Sequence, residues 1–179
     1  MRLAAWFSAG LFAVATPAAA QSLEDMLHTG TIPSYLAVNF CPVFLSGESS
    51  LENNQELMVL GFPATPASVS DAGFPGFVRL DQTRSDGFVS VGGVSGSICE
   101  VNVTGPRAVE ALRLVRGVIP SLINNLEPDP ANSGRRGDVT VEALKTPEAE
   151  FGHLQVQYME TTLGEGTTST IFRVIYKER

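Results

Sequence analysis

Histidine and cysteine are scarce in this sequence, since each occurs only twice in 179 residues. A protein zinc site takes three or four ligands, and no spacing of His28, His153 and the two cysteines supplies them. The aspartates and glutamates are scattered singly, so the facing carboxylate pair of a glycosidase is not indicated. The sequence therefore predicts no catalytic residues, no metal site and no cofactor.

Long basic runs are also missing. Arg135 and Arg136 are the one pair of adjacent cations, and the formal net charge of the chain is −7. Nucleic acids and anionic membrane surfaces attract basic protein faces. We therefore expect neither of them as a partner.

The longest apolar run lies at the N-terminus and is too short to span a membrane. Arg2 precedes the apolar residues 3–14, Pro17 breaks the run, and residues 18–20 are three alanines. This is the pattern of a secretory signal peptide, whereas a membrane-spanning helix needs about 20 apolar residues. We expect residues 1–20 to be removed. A single domain over residues 21–179, without a membrane span, would then lie in the periplasm or the medium.

Cys41 and Cys99 both belong to the predicted exported part. In an oxidising compartment two cysteines are expected to form one bridge, and their spacing is not that of a redox-active Cys-x-x-Cys motif. Cys99 alternates with Val101 and Val103 on the more apolar face of a predicted strand. The sequence therefore predicts a structural disulfide between Cys41 and Cys99.

Two helices are predicted in the first third of the chain. Pro42 removes a backbone donor from the apolar stretch 35–45, which favours a short or kinked helix there. Ser49 and Glu52 match a capping box, in which each side chain satisfies a free backbone N–H group. This pattern predicts a helix over residues 50–60.

Strands and one further helix are predicted in the rest of the chain. Alternating apolar residues indicate strands near residues 77–80, 88–91, 97–103, 138–144, 154–158 and 172–176. An amphipathic helix is predicted between Pro106 and Pro120, and Pro120 is expected to end it. The element order predicts an α+β fold, with a mainly antiparallel sheet of about five or six strands and two or three helices on one face.

The C-terminal hairpin also permits a prediction of strand register. A three-residue turn at 164–166 places Tyr158 opposite Phe172 and Val156 opposite Val174, so that these side chains share one face. A slip of one residue would turn Phe172 away from that face. The first register is therefore expected.

A glycine-rich hairpin at 92–97 and the loop 62–77 form the predicted partner surface. Its candidate contact residues are Phe62, Phe74, Phe77, Val94 and Ser95. Exposed aromatic side chains often anchor protein interfaces, and the alternative is that these phenylalanines cap the core. The leading hypothesis is a non-enzymatic interaction protein that acts as an accessory or inhibitor of an envelope protein.

Two other functions stay open. One is a carrier of a small apolar ligand held between the amphipathic helix and the sheet, near Phe172, Val174 and Tyr176. The other is a serine hydrolase that uses Ser95 with His153. A strand follows this serine, although a nucleophile elbow requires a helix there.

The stretch Val91–Pro106, together with an upstream cysteine in an apolar helix, resembles small exported bacterial proteins of uncharacterised function. The resemblance extends from Ala37 to Ile119. It implies a shared disulfide and fold, and it brings no activity or catalytic residue.

Overall fold

The computed structural model describes residues 28–70 and 73–178. The predicted signal peptide, residues 1–20, and its predicted cleavage site lie outside these residues. Within the described ranges, every helix is too short or too polar to cross a bilayer.

The first helix, α1, is irregular. It consists of an α-helical turn Ile32–Tyr35, a π-helical segment Leu36–Phe40 and a second α-helical part Cys41–Leu45. Pro42 has no N–H group to offer the preceding turn, and its ring displaces the carbonyl four residues earlier. The wider π turn lies just before this proline, as expected when the helical ladder is interrupted. The predicted irregularity at Pro42 is confirmed.

The second helix, α2 (Gln55–Val59), begins later than predicted. Its N-cap is Asn54, whose side-chain oxygen accepts a hydrogen bond from the N–H of Leu57 at 3.1 Å. The amide group of Asn54 also donates to the carbonyl of Ser50 at 2.9 Å, which holds the preceding residues in a turn. The predicted start near Ser50 is therefore wrong. The end is as expected, because Gly61 has a φ of +89°.

The third helix, α3 (Ala108–Leu122), packs an apolar side on the sheet. Pro120 lies inside it, so the prediction that Pro120 ends the helix is wrong. The proline falls in the last turn, where it removes few helical hydrogen bonds. The N–H of Ile123 still donates to the carbonyl of Ile119 at 3.0 Å. The buried residues of α3 are Ala108, Ala111, Leu112, Val115 and Ile119.

Nine strands of the described residues form one antiparallel sheet. They are β1 (Ala67–Ser68), β2 (Val78–Arg84), β3 (Gly87–Val94), β4 (Ile98–Thr104), β5 (Glu127–Pro128), β6 (Gly134–Arg136), β7 (Val139–Lys145), β8 (Gly152–Thr162) and β9 (Thr168–Glu178). Their order is β1-β2-β3-β4-β9-β8-β7-β5, and β6 also pairs with β7. The α+β fold with an antiparallel sheet is confirmed. The predicted strand number is too low, because β1, β5 and β6 are too short to show apolar alternation.

The predicted register of the β8–β9 hairpin is confirmed. Tyr158 lies opposite Phe172, and Val156 lies opposite Val174. On its other edge β9 pairs with β4, where Val101 is the partner of Phe172. The strand that is last in sequence therefore lies in the middle of the sheet.

All three helices contribute to one core on the same side of the sheet, which we call the helical face. The predicted disulfide is present and joins Cys41 of α1 to Cys99 of β4, with both residues buried. The opposite side, called the outer face, carries a smaller cluster of Phe77, Ile98 and Ile175. The main core therefore lies on the helical face, and only a small cluster lies on the outer face.

Candidate functional site

The predicted partner surface is not assembled as expected. Phe62 is 4% exposed in the main core, and Phe77 is 2% exposed in the outer-face cluster. Each buried aromatic side chain gains roughly 2 kcal/mol from leaving water, which explains why the loop folds inward. Of the two alternatives left open by the sequence, Phe62 and Phe77 follow the one in which the phenylalanines belong to the core. Phe74 is half-buried and lies over Arg173.

Ser95 and His153 are not brought together. The hydroxyl of Ser95 donates to the carbonyl of Ser49 at 2.9 Å, so this side chain is directed towards the helical layer. His153 lies opposite Lys177 and alternates along β8 with the residues that face the core. It is therefore on the outer face, and the two residues do not form a nucleophile and base pair.

The interface between α3 and the sheet has no room for a ligand at the position predicted. A cavity of about 10 Å³ lies there, lined by residues such as Val115 and Phe172. Ligand pockets have volumes of roughly 300–1,000 Å³. The cavity beside Phe172 is therefore too small for the expected apolar ligand, and it does not extend to Val174 or Tyr176.

A much larger space lies among the three helices, and we call it the helical groove. Its volume is about 710 Å³. It is lined by Thr31, Ser34, Tyr35, Val38 and Asn39 from α1 and the residue before it, Gln55, Glu56, Val59 and Leu60 from α2 and its C-cap, and Val118 from α3. The spacing of three and four residues along α1 and α2 places each set on one face of its helix.

The walls of the helical groove combine an apolar lining with a few polar groups. Leu60 is 7% exposed at the core side, whereas Val59 is 75% exposed at the rim. The π-helical segment contributes Val38 and Asn39, and such segments are frequent at functional sites. The groove therefore places apolar area within reach of solvent.

The polar groups of the helical groove centre on Tyr35 and Glu56. A hydrogen bond to the Glu56 carboxylate raises the pKa of the Tyr35 hydroxyl, and burial and the negative charge of Glu56 raise it further. Among the described residues that line the groove, only Glu56 is charged. The site can therefore enclose an apolar body and hydrogen-bond a polar group at its edge.

Sequence analysis missed the helical groove. A signal was present in the four consecutive apolar residues 57–60, because a short helix cannot bury adjacent side chains on one face. Met58 and Val59 are the residues of this run that remain exposed.

No protein family, curated protein or solved structure matches this chain. The resemblance to small exported bacterial proteins therefore stays a prediction. Within residues 28–70 and 73–178, no three histidine, cysteine, aspartate or glutamate side chains are grouped as metal ligands would be.

Proposed function

We propose that this chain is an exported, non-enzymatic binding protein that holds a small amphipathic ligand in the helical groove. The observation that carries this proposal is the groove itself, with a volume of about 710 Å³ between three helices. This volume lies within the range of roughly 300–1,000 Å³ typical of small-molecule sites. The predicted carrier function is thereby retained, but its site moves from the helix–sheet interface to the helical groove.

The polarity of the groove favours one class of ligand. The apolar lining around Val38, Val59 and Val118 suits an alkyl or ring system. Glu56 would repel an anionic head group, and it would accept a hydrogen bond from a neutral or cationic one. The ligand is therefore a neutral or cationic amphiphile rather than a fatty acid anion.

The buried Cys41–Cys99 disulfide supports the exported location. Disulfides persist in oxidising compartments such as the periplasm and are rare in the cytosol. Together with the predicted signal peptide, this bridge favours a periplasmic or secreted binding protein.

A matched pair of valine variants tests the site. Val118 lines the helical groove, whereas Val109 lies nine residues earlier on the same helix, is 51% exposed and is not part of the groove lining. Val118→Trp should fill the groove and weaken binding of the neutral fluorescent probe N-phenyl-1-naphthylamine about tenfold or more, whereas Val109→Trp should leave it unchanged. Probe titration measures both.

The same titration can contradict the proposal. Failure of the unmodified protein to bind the probe, or equal loss of binding in both valine variants, would rule out the helical groove as the binding site. If the proposal is correct, native mass spectrometry of protein purified from its host should show a retained small molecule. The Val118→Trp variant should lose this molecule, and the Val109→Trp variant should keep it.

A further inference from the structure

A second groove runs along the outer face of the sheet, and we call it the sheet groove. Its volume is about 380 Å³. Its lining includes Phe74, Arg136, Gln157, Met159, Arg173 and Lys177. Strands β7, β8 and β9 form its floor, and the side chains of Phe74 and Asn132 come from loops outside these strands.

The sheet groove is elongated along the strands. Lys177 of β9 lies opposite His153 of β8, and Met159 lies six residues further along β8. The groove therefore follows β8 from position 153 to position 159, which is about 20 Å at 3.3 Å per residue. An extended chain of six or seven residues has about this length.

Cations lie towards both ends of the sheet groove. Lys177 and Arg136 are exposed, and neither forms an ion pair or a side-chain hydrogen bond with another residue that the structure describes. Lys177 lies opposite His153, near the start of β8. Arg136 pairs with Val139, which lies opposite Thr161 near the end of β8. Both cations are therefore available to pair with acidic groups of a ligand.

The floor between these cations is held in place by hydrogen bonds. The buried carboxylate of Asp129 accepts one from Gln155 at 2.8 Å and one from Asn132 at 2.7 Å. The side-chain oxygen of Gln155 in turn accepts from the amide of Gln157 at 3.2 Å. The oxygen of Gln157 has no donor among the described residues and is available to a backbone N–H group of a ligand.

The wall formed by Phe74 is also held in place. The guanidinium carbon of Arg173 lies 5.5 Å from the centre of the Phe74 ring. Arg173 is itself fixed by its ion pair with Glu100. The ring face attracts a cation electrostatically, which favours this arrangement.

From this geometry we infer that the sheet groove binds an extended acidic segment of a partner polypeptide. Acidic side chains of the segment pair with Lys177 and Arg136, and one of its backbone N–H groups donates to Gln157. The partly exposed apolar floor residues Met159 and Val139 accommodate side chains between the charged positions, which favours a polypeptide over a polysaccharide. This inference is independent of the helical groove, which lies on the other face of the sheet.

Selection from a random library of eight-residue peptides tests this inference even though the partner is not identified. Peptides selected by the folded protein should be enriched in aspartate and glutamate. Their affinity, measured by fluorescence anisotropy, should fall about tenfold in Lys177→Glu and in Arg136→Glu, and it should fall with added salt. Arg113→Glu is the matched control, because Arg113 is an exposed cation of α3 that does not line the groove.

Three results would overturn the inference. They are selected peptides without an acidic bias, an equal loss of affinity in Arg113→Glu, and binding of the acidic polysaccharide alginate in place of every peptide. Circular dichroism of each variant confirms that it is folded. Amide shifts of the unmodified protein on peptide addition should be concentrated in β8 and β9.

Discussion

Arg173 and Glu100 lie opposite each other on neighbouring strands, and the Nε of Arg173 donates to the Oε2 of Glu100 at 2.7 Å. Their side chains are only 18% and 12% exposed. Removal of one partner of a largely buried pair leaves the other charge uncompensated, which is strongly destabilising. This ion pair therefore contributes to the stability of the sheet as well as to the wall of the sheet groove.

We predict that Arg173→Met lowers the free energy of unfolding by about 3 kcal/mol, because Glu100 then stays buried without a cation. The double variant with Glu100→Leu should recover most of this loss. Urea denaturation measures both variants. Arg79→Met is the control, since the Arg79–Asp81 pair is 34% and 41% exposed, and its loss should cost less than about 1 kcal/mol. Equal losses in the two single variants would contradict the prediction.

The disulfide gives a second prediction. The bridge closes a loop of 58 residues between Cys41 and Cys99. Replacement of both cysteines by alanine should lower the free energy of unfolding by about 4 kcal/mol, because the unfolded chain regains the entropy of that loop. Dithiothreitol should shift the urea midpoint of the unmodified protein to that of the variant, and it should not affect the variant. If the double alanine variant loses less than about 1 kcal/mol of unfolding free energy, the expectation is refuted.

Two glycines are predicted to respond in opposite directions to alanine. A Cβ atom added to Gly93 would lie 1.9 Å from the carbonyl oxygen of Ile98, and the φ angle of Gly93 is +152°. Gly93→Ala should therefore destabilise by more than about 3 kcal/mol. Gly117 lies inside α3 with open space around it, so Gly117→Ala should stabilise by about 1 kcal/mol. Thermal unfolding distinguishes them, and stabilisation by both substitutions would be inconsistent with this backbone geometry.

The buried carboxylate of Asp129 predicts a pH dependence. Hydrogen bonds from Asn132 and Gln155 hold the pKa of Asp129 below its usual value. A lowered folded-state pKa gives stability that is complete above the unfolded-state value of about 3.9 and is lost as pH falls through the folded-state value. Asp129→Asn should therefore cost about 1–2 kcal/mol at pH 7.

The difference between Asp129→Asn and the unmodified protein should shrink below about pH 4. Urea titrations at a series of pH values measure this difference. Asp138→Asn is the control, since Asp138 is exposed. A cost at Asp129 that stays constant down to pH 2 would show that its charge is not the cause.

The long strands were predictable because each alternates apolar and polar residues over most of its length. Tyr158 and Phe172 set the register of their hairpin, since a slip would expose a large apolar side chain. The short strands β1, β5 and β6 depend on their neighbours β2 and β7 and not on their own sequence. Their existence was therefore not accessible from local patterns.

Local capping signals were less reliable than alternation. Ser49 and Glu52 have the spacing of a capping box, yet Asn54 caps the helix by accepting from Leu57. Both serine and asparagine are good N-cap residues, so local chemistry does not decide between them. The choice depends on where the turn before α2 packs.

The apolar run 57–60 signals only that some apolar side chains stay exposed. The assembly of either groove could not be predicted, because each is formed by elements that are distant along the chain. Val118 belongs to the helix that patterning predicted to be amphipathic, and it lines the helical groove together with residues of α1 and α2. The sheet groove depends on Phe74 folding back over Arg173. Tertiary packing, which local periodicity does not encode, creates both sites.

Because β9 lies at the centre, completion of the sheet depends on residues 168–178. The strands from β1 to β4 and those from β5 to β8 are joined by backbone hydrogen bonds only through β9. Until residues 168–178 arrive, β4 keeps an open edge that can pair with another chain. Such long-range pairing is slow, so the two groups of strands stay unjoined until residues 168–178 pair with both of them.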